Sequence, residues 1–147
     1  MPKPFKFKLQ RILDYRVQQE ESAKNALAQA RRTYRNQAKL VEDLKQAHKR
    51  HMHEIHTKKE LSAADLWLWR NYRERLELDI KKAEHRLKQM AAEVDKRRRE
   101  VIERSKDRKL LEKLKSNQAM AHAVEAGREE QRDIDEMATL RYGHDGL

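Results

Sequence analysis

The chain has 147 residues, of which 35 are Lys or Arg and 25 are Asp or Glu, so charged residues reach 41% and the formal net charge is +10. Its three Gly and two Pro lie near the two ends, and residues 5–126 contain neither. This excludes nucleotide-binding glycine loops, β-sandwiches and small barrels, because these folds need glycine where the backbone turns sharply or approaches a ligand. The lack of cysteine excludes disulfides, Cys-ligated metals and thiol nucleophiles.

The first part of the chain has apolar residues at every third or fourth position. Steps that alternate between four and three residues reach fourteen positions, nine of them apolar. This spacing is typical of a left-handed coiled coil and predicts a helix over about residues 8–58. The positions of this first series are Leu9, Leu13, Arg16, Glu20, Ala23, Leu27, Ala30, Tyr34, Gln37, Val41, Leu44, His48, His51 and Ile55.

A new helix is expected to start after a turn at about residues 58–62. Ser62 followed three residues later by Asp65 has the spacing of a capping box, and Leu61 with Leu66 has that of a hydrophobic staple. This arrangement predicts that the second helix begins near residue 63.

A second series of fourteen positions, ten of them apolar, continues the coiled-coil pattern. It predicts a helix over about residues 63–140, followed by a short flexible C-terminal tail. The positions are Leu66, Trp69, Arg73, Leu76, Ile80, Ala83, Leu87, Met90, Val94, Arg97, Val101, Arg104, Arg108 and Leu111.

Two architectures accommodate these helices. The favoured one is an all-α fold in which residues 1–147 form a single rod, with two long helices in an antiparallel coiled-coil hairpin. The alternative is one continuous helix that dimerises in parallel. In the hairpin, Ile55 would lie opposite Leu66 and Leu9 opposite Leu111, so the second helix would extend past the first beyond about residue 115.

Charge is unevenly distributed along the chain. Residues 1–16 contain five basic residues and one acidic residue, and residues 91–115 contain ten basic and six acidic residues. Residues 125–147 instead contain seven acidic and three basic residues. In a hairpin, the two basic segments meet at one end and an acidic extension projects from it.

A two-helix rod has no concave pocket that excludes water, so we expect no enzyme activity, no small-molecule substrate and no cofactor. Four histidines at positions 48, 51, 53 and 56 have partly helical spacing. Only His48 and His51 fall on the first series, and no carboxylate motif joins them, so we interpret them as polar layers of the hairpin and predict no metal site.

Nucleic acid is a possible partner for a basic chain, and residues 96–99 are all basic. Acidic residues interleaved along both helices and an aromatic content of only 5% argue against it. No segment approaches the roughly 20 apolar residues of a membrane span. We therefore expect a soluble chain that does not bind nucleic acid as its main function.

Several large side chains on the second helix point away from the predicted seam. Trp67, Leu78 and His85 lie on the opposite side of the helix at 100° per residue, and Tyr72 lies on its flank. Exposed apolar groups of this kind mark a partner surface more often than chance. For Trp67, folding back over the turn is an equally good interpretation.

Three sequence segments resemble the flagellar FliJ family. They are the opening at residues 5–16, the Asp-Arg-Lys segment at 107–115, and residues 129–138, which contain Asp-Glu-Met-Ala. The resemblance spans almost the whole chain. The stalk proteins of virulence-type injectisomes are similar in shape and remain an alternative, as does a basic coiled-coil adaptor that binds nucleic acid.

The resemblance implies a non-enzymatic stalk of the flagellar type III export apparatus. Its partners would be a hexameric flagellar export ATPase, the cytoplasmic domain of the membrane export gate, and export chaperones. It would be cytoplasmic and peripherally associated with the inner face of the cell membrane. The implied ATPase-contact residues are Phe5, Phe7, Arg11, Arg108 and Lys109. The implied export-gate residues are Trp67, Tyr72, Leu78 and His85.

Overall fold

The computed structural model describes residues 2–145, and the side-chain environment of residues 2–143. Two helices account for nearly all of this part: α1, Gln10–Thr57, and α2, Ala63–Asp145. No strand occurs in it. The predicted all-α antiparallel hairpin is confirmed, whereas α2 continues beyond the predicted end near residue 140. The last two residues of the predicted tail, 146 and 147, lie outside the described residues.

The start of α2 is fixed by a capping box. The backbone N–H of Asp65 donates to Ser62 Oγ at 3.1 Å, and the N–H of Ser62 donates to Asp65 Oδ2 at 3.3 Å. These two bonds satisfy donors that a helix start leaves without partners, as predicted from the Ser-x-x-Asp spacing. Hydrogen bonds with Ser62 lower the pKa of Asp65 below its ordinary value. The bond with the Ser62 side chain is the largest cause, and the bond with the Ser62 backbone is the second.

The chain divides into two compact units. The first, unit 1, combines residues 1–21 with residues 103–147, so both ends of the chain belong to it. The second, unit 2, comprises residues 22–102 and includes the turn. Each unit therefore contains a part of α1 and a part of α2.

The predicted phase of both helices is confirmed by burial. All fourteen positions of the first series are buried or partly buried, as are all those of the second series except Leu66 at its start. Within unit 2, the Gln37 amide donates to the carbonyl of Ala83 at 3.0 Å, and Trp69 donates to the carbonyl of His51 at 3.0 Å. As residue numbers rise along α1 they fall along α2, which gives the antiparallel sense.

The core is narrow, as expected for a pair of helices that bury only one face each. Among the described residues, no large side chain is less than 2% exposed. The buried apolar residues are Phe7, Leu13, Leu27, Val41, Leu76 and Ala83. Stability therefore depends on many small apolar contacts and not on a few fully buried side chains.

Candidate functional site

The implied ATPase-contact residues all lie in unit 1, where the N-terminal segment packs on α2. The Phe5 ring lies 5.7 Å from the His122 ring, at an interplanar angle of 57°. Phe7 is only 8% exposed, and its carbonyl accepts a hydrogen bond from Gln10 N at 3.2 Å. Phe7 thus stabilises the start of α1 within unit 1, and only Phe5 of the two rings keeps partial exposure.

Arg108 is engaged by carboxylates of its own chain. Its Nε donates to Oε2 of Glu20, which is 5% exposed, and its Nη1 donates to Oε2 of Glu112 at 2.7 Å. These hydrogen bonds raise the pKa of the guanidinium above its ordinary value. The bond with Glu20 is the largest cause, and the bond with Glu112 is the second. A buried carboxylate needs such a partner, so Arg108 serves the packing of α1 on α2.

Further polar contacts join the helices in unit 1. Arg16 Nη1 lies 3.4 Å from Asp107 Oδ2, and Lys115 Nζ donates to Gln10 Oε1 at 2.8 Å. Arg11 and Lys109 differ from these residues, because both are exposed and neither forms an ion pair within the described residues. Of the five implied ATPase-contact residues, Arg11 and Lys109 are therefore the two with fully available charges.

The implied export-gate residues lie on α2 in unit 2, and three of them share one side of the helix. Trp67 is 64% exposed and Leu78 is 51% exposed, and His85 is also exposed. Leu78 and His85 follow Trp67 by 11 and 18 residues, or about three and five helical turns. The structure thus places these three side chains along one exposed line.

Tyr72 does not belong to that line. Its ring makes an edge contact with the His51 ring, with the centroids 4.6 Å apart, although half of the residue remains exposed. The His51 ring also stacks on Trp69 at 4.9 Å and 19°. Tyr72 therefore forms part of an aromatic cluster that joins α1 and α2 near the turn.

His51 is the centre of this cluster and is 7% exposed. Its Nε2 lies 2.8 Å from the carbonyl oxygen of Trp69. A carbonyl oxygen only accepts, so Nε2 carries the hydrogen and donates it. His48 Nε2 lies 3.2 Å from Glu77 Oε1. Both histidines thus act as polar layers between the helices, as predicted, whereas His53 and His56 are exposed.

No group of three or more His, Asp or Glu side chains in the described part of the chain could hold a metal ion. No described helix is long and apolar enough to cross a membrane. The polar groups so far described are engaged mainly in contacts between α1 and α2. The exposed line of Trp67, Leu78 and His85 is outside these contacts.

The last part of α2, which the sequence predicts to extend past α1, is exposed. Every residue from 127 to 143 is exposed, including Ile134 at 59%, Leu140 at 73% and Tyr142 at 84%. The predicted extension beyond about residue 115 and the change to net negative charge in residues 125–147 were the available signals. This stretch of unit 1 is a second candidate surface for a partner.

Comparison with known proteins gives a match to a protein-family model. The family model described as "Flagellar FliJ protein" matches residues 5–147. No curated protein and no solved structure matches the chain at a significant level. The match covers nearly the whole chain, including both helices and the segment before α1.

Proposed function

Because the chain belongs to the flagellar FliJ family, we propose that it is the stalk that enters the central opening of the hexameric flagellar export ATPase and promotes its activity. The family makes the chain a component of the flagellar export apparatus. The family match over residues 5–147 carries the proposal. The assignment of both ends of the chain to unit 1 supports it, because segments from the two ends then belong to one compact unit.

The contact with the ATPase is proposed to use Phe5, Arg11 and Lys109. Phe5 is partly exposed, and the two cations are exposed. Phe7 and Arg108 contribute by holding the N-terminal segment and α1 against α2. A single stalk cannot contact six subunits identically, so it lowers the free energy of one ring conformation relative to the others, and the nucleotide state in turn biases the stalk.

The ATPase contact is tested by reversing the two available charges. In the purified hexamer, Arg11→Glu with Lys109→Glu is expected to reduce stimulation of ATP hydrolysis, with a loss that is larger at low salt. The matched control is Arg32→Glu with Lys39→Glu, which makes the same charge change at exposed positions of unit 2. Equal stimulation by both variants and the unaltered chain would remove this contact from the proposal.

The second proposed partner is the cytoplasmic domain of the membrane export gate. Trp67, Leu78 and His85 form the contact line, and Tyr72 supports it through its packing on His51. Leu78→Ala with His85→Ala is expected to weaken binding to the gate domain and leave stability unchanged, because both side chains are exposed. Ile102→Ala, at a side chain that is 48% exposed on the same helix, is the control. Full gate binding by the double variant would contradict this assignment.

We also infer a non-enzymatic role in recycling export chaperones, at the cytoplasmic side of the membrane where the flagellum is assembled. The support is the family, together with exposed helix surface at residues 127–143 that no part of the described chain covers. Pull-down of purified export chaperones by the full chain tests this role. Failure of all of them to bind would restrict the proposal to the ATPase and the gate.

A further inference from the structure

A row of uncompensated cations runs along the exposed side of α2 in unit 2. All of its members are exposed, and none forms an ion pair within the described residues. We call this row the basic face. Its members are Lys81, Lys82, Lys88, Lys96 and Arg99.

The acidic residues of the same segment do not neutralise the basic face. Residues 81–99 contain eight Lys or Arg and three Asp or Glu. Each of the three acids already has another basic partner: Glu84 lies 3.0 Å from Lys45, Glu93 lies 2.8 Å from Arg97, and Asp95 lies 3.6 Å from Arg98. The positive charge of the basic face is therefore available to an external anion.

Large apolar side chains precede the basic face on the same helix. Trp67 is 64% exposed, Leu68 is 60% exposed and Leu78 is 51% exposed. Trp67 combines a large apolar ring with one N–H donor. Side chains of this kind are enriched where an apolar phase meets water, and especially at the headgroup level of membranes.

We propose that this side of α2 binds the surface of a bilayer that contains anionic phospholipids. Trp67 and Leu68 enter the headgroup region, and the basic face contacts the lipid phosphates. Because the proposed gate contact also uses Trp67, the chain binds the bilayer and the gate domain alternately and not at the same time. Clusters of Lys and Arg are attracted to anionic lipid surfaces, and an apolar anchor adds burial that simple charge attraction lacks. The basic face requires a partner with negative charges at its surface, and Trp67 and Leu68 require an apolar layer beneath those charges.

Nucleic acid offers the first of these properties and lacks the second. A duplex presents phosphates along its grooves but no apolar layer for Trp67 and Leu68. Single strands bind where aromatic side chains alternate with cations, so that bases stack on the rings. No Phe, Trp or Tyr occurs between Tyr72 and Tyr142. The basic face therefore lacks a stacking platform, and a bilayer fits it better.

The test uses the full chain with unilamellar vesicles, either of phosphatidylcholine alone or with about 30% phosphatidylglycerol. Co-sedimentation is expected only with the anionic vesicles and is expected to fall as salt rises. Lys81→Glu, Lys82→Glu and Lys88→Glu together are expected to weaken binding by about a hundredfold or more, since each basic residue near such a surface contributes about fivefold.

The control variant separates a defined surface from general positive charge. Arg32→Glu, Arg35→Glu and Lys39→Glu make the same change in net charge at exposed positions of α1. This variant is expected to bind the anionic vesicles with only a small loss. Equal loss in the two triple variants would overturn the proposal, because binding would then depend on net charge alone.

Insertion of Trp67 is measured by its fluorescence in a Trp69→Phe chain, where Trp67 is the only tryptophan. A shift of emission to shorter wavelength on anionic vesicles supports the proposal, whereas binding without any shift overturns the anchoring step. Trp67→Phe is the control: its remaining Trp69 stacks on His51 and is expected to report no change.

Comparison of DNA with anionic vesicles tests whether the partner is nucleic acid and not a membrane. A DNA duplex that binds the chain more tightly than the anionic vesicles, and whose binding is lost in the Lys81, Lys82 and Lys88 variant, would overturn the proposal in favour of nucleic acid. The vesicles contain no export gate and no ATPase. Failure here therefore leaves the proposed stalk function standing. Full gate binding by the Leu78 and His85 variant would contradict the gate contact and would leave this inference standing.

Discussion

The two compact units use different chemistry to hold α1 and α2 together. In unit 2, the polar contacts between the helices at buried positions are neutral: the Gln37 amide bonds to a carbonyl, and His51 exchanges hydrogen bonds with Trp69. In unit 1, the buried polar contact between the helices is charged and joins Glu20 to Arg108. The same coiled-coil pattern is thus completed by amide and imidazole in one unit and by carboxylate and guanidinium in the other.

This difference has a physical consequence for each unit. Hydrogen bonds between neutral groups respond little to salt, whereas ion pairs that retain some exposure are screened by it. The side chains of Arg16 and Asp107 are 36% and 41% exposed, so salt is expected to screen their ion pair. Unit 2 also contains an exposed ion pair between the helices, Lys45 with Glu84 at 3.0 Å. We therefore expect the units to differ in their response to salt at the buried contacts, where only the contact of Glu20 with Arg108 in unit 1 is charged.

The largest expected effect compares the packed and unpacked parts of α2. Residues 127–143 are exposed throughout, whereas Leu76 and Ala83 are buried at 5% and 7% exposure. Amide hydrogens of residues 127–143 are expected to exchange faster than those near Leu76 by roughly three orders of magnitude or more, because local opening costs little where few side chains are buried. Mass-spectrometric exchange on the full chain measures this, and equal protection would show that residues 127–143 pack against something.

A second effect separates core from surface within unit 2. Leu76→Ala is expected to lower the free energy of unfolding by about 2–5 kcal/mol, because it leaves a cavity at a buried position. Leu78→Ala, two residues further along at 51% exposure, is expected to change it by less than about 0.5 kcal/mol. Thermal denaturation followed by circular dichroism compares the two. Similar losses would mean that the helix phase described above is wrong.

A third, smaller effect sharpens the contrast between the units. Glu20→Gln removes the carboxylate that Arg108 contacts while keeping the size of the side chain, so the melting temperature is expected to fall. Asp107→Asn, at a more exposed ion pair, is expected to have a smaller effect that disappears at about 1 M salt. If Glu20→Gln were neutral at low salt, the charged contact would not contribute to holding unit 1 together.

The smallest effect concerns the start of α2. Ser62→Ala is expected to cost about 1 kcal/mol through loss of the N-cap. Because the folded chain lowers the pKa of Asp65, the capping box adds stability above the usual carboxyl pKa, and this stability is lost as pH falls through the lowered value. The Ser62→Ala chain is therefore expected to lose less stability on acidification than the unaltered chain. Parallel acid titrations of both chains would contradict the cause assigned to the pKa shift.

Sequence periodicity was sufficient to predict the helices and their phase. The alternating spacing identified the buried sides of α1 and α2, and Ser62 with Asp65 identified the start of α2, because both signals depend on residues close together in the chain. The packing of Phe7 and the edge contact of Tyr72 on His51 could not be predicted. They depend on which side chains meet across two helices, and long side chains reach over more than one helical turn.

The pairing of Glu20 with Arg108 shows the same limit. Both residues stand on the predicted series and carry opposite charges. Which acid meets which base was not readable, because several residues of each sign lie within reach of one another. The family resemblance implies Arg108 as an ATPase contact, and this stays a prediction; within the chain its guanidinium is engaged by Glu20 and Glu112.

Gly127 lies inside α2, and its backbone has no positive φ. A Cβ added there would meet nothing within 4 Å, so no steric demand explains the glycine. Glycine in a helix interior is about 1 kcal/mol less favourable than alanine, which makes bending or local unwinding cheaper at this point than at neighbouring positions. We therefore expect α2 to bend or open more readily at Gly127 than at neighbouring positions.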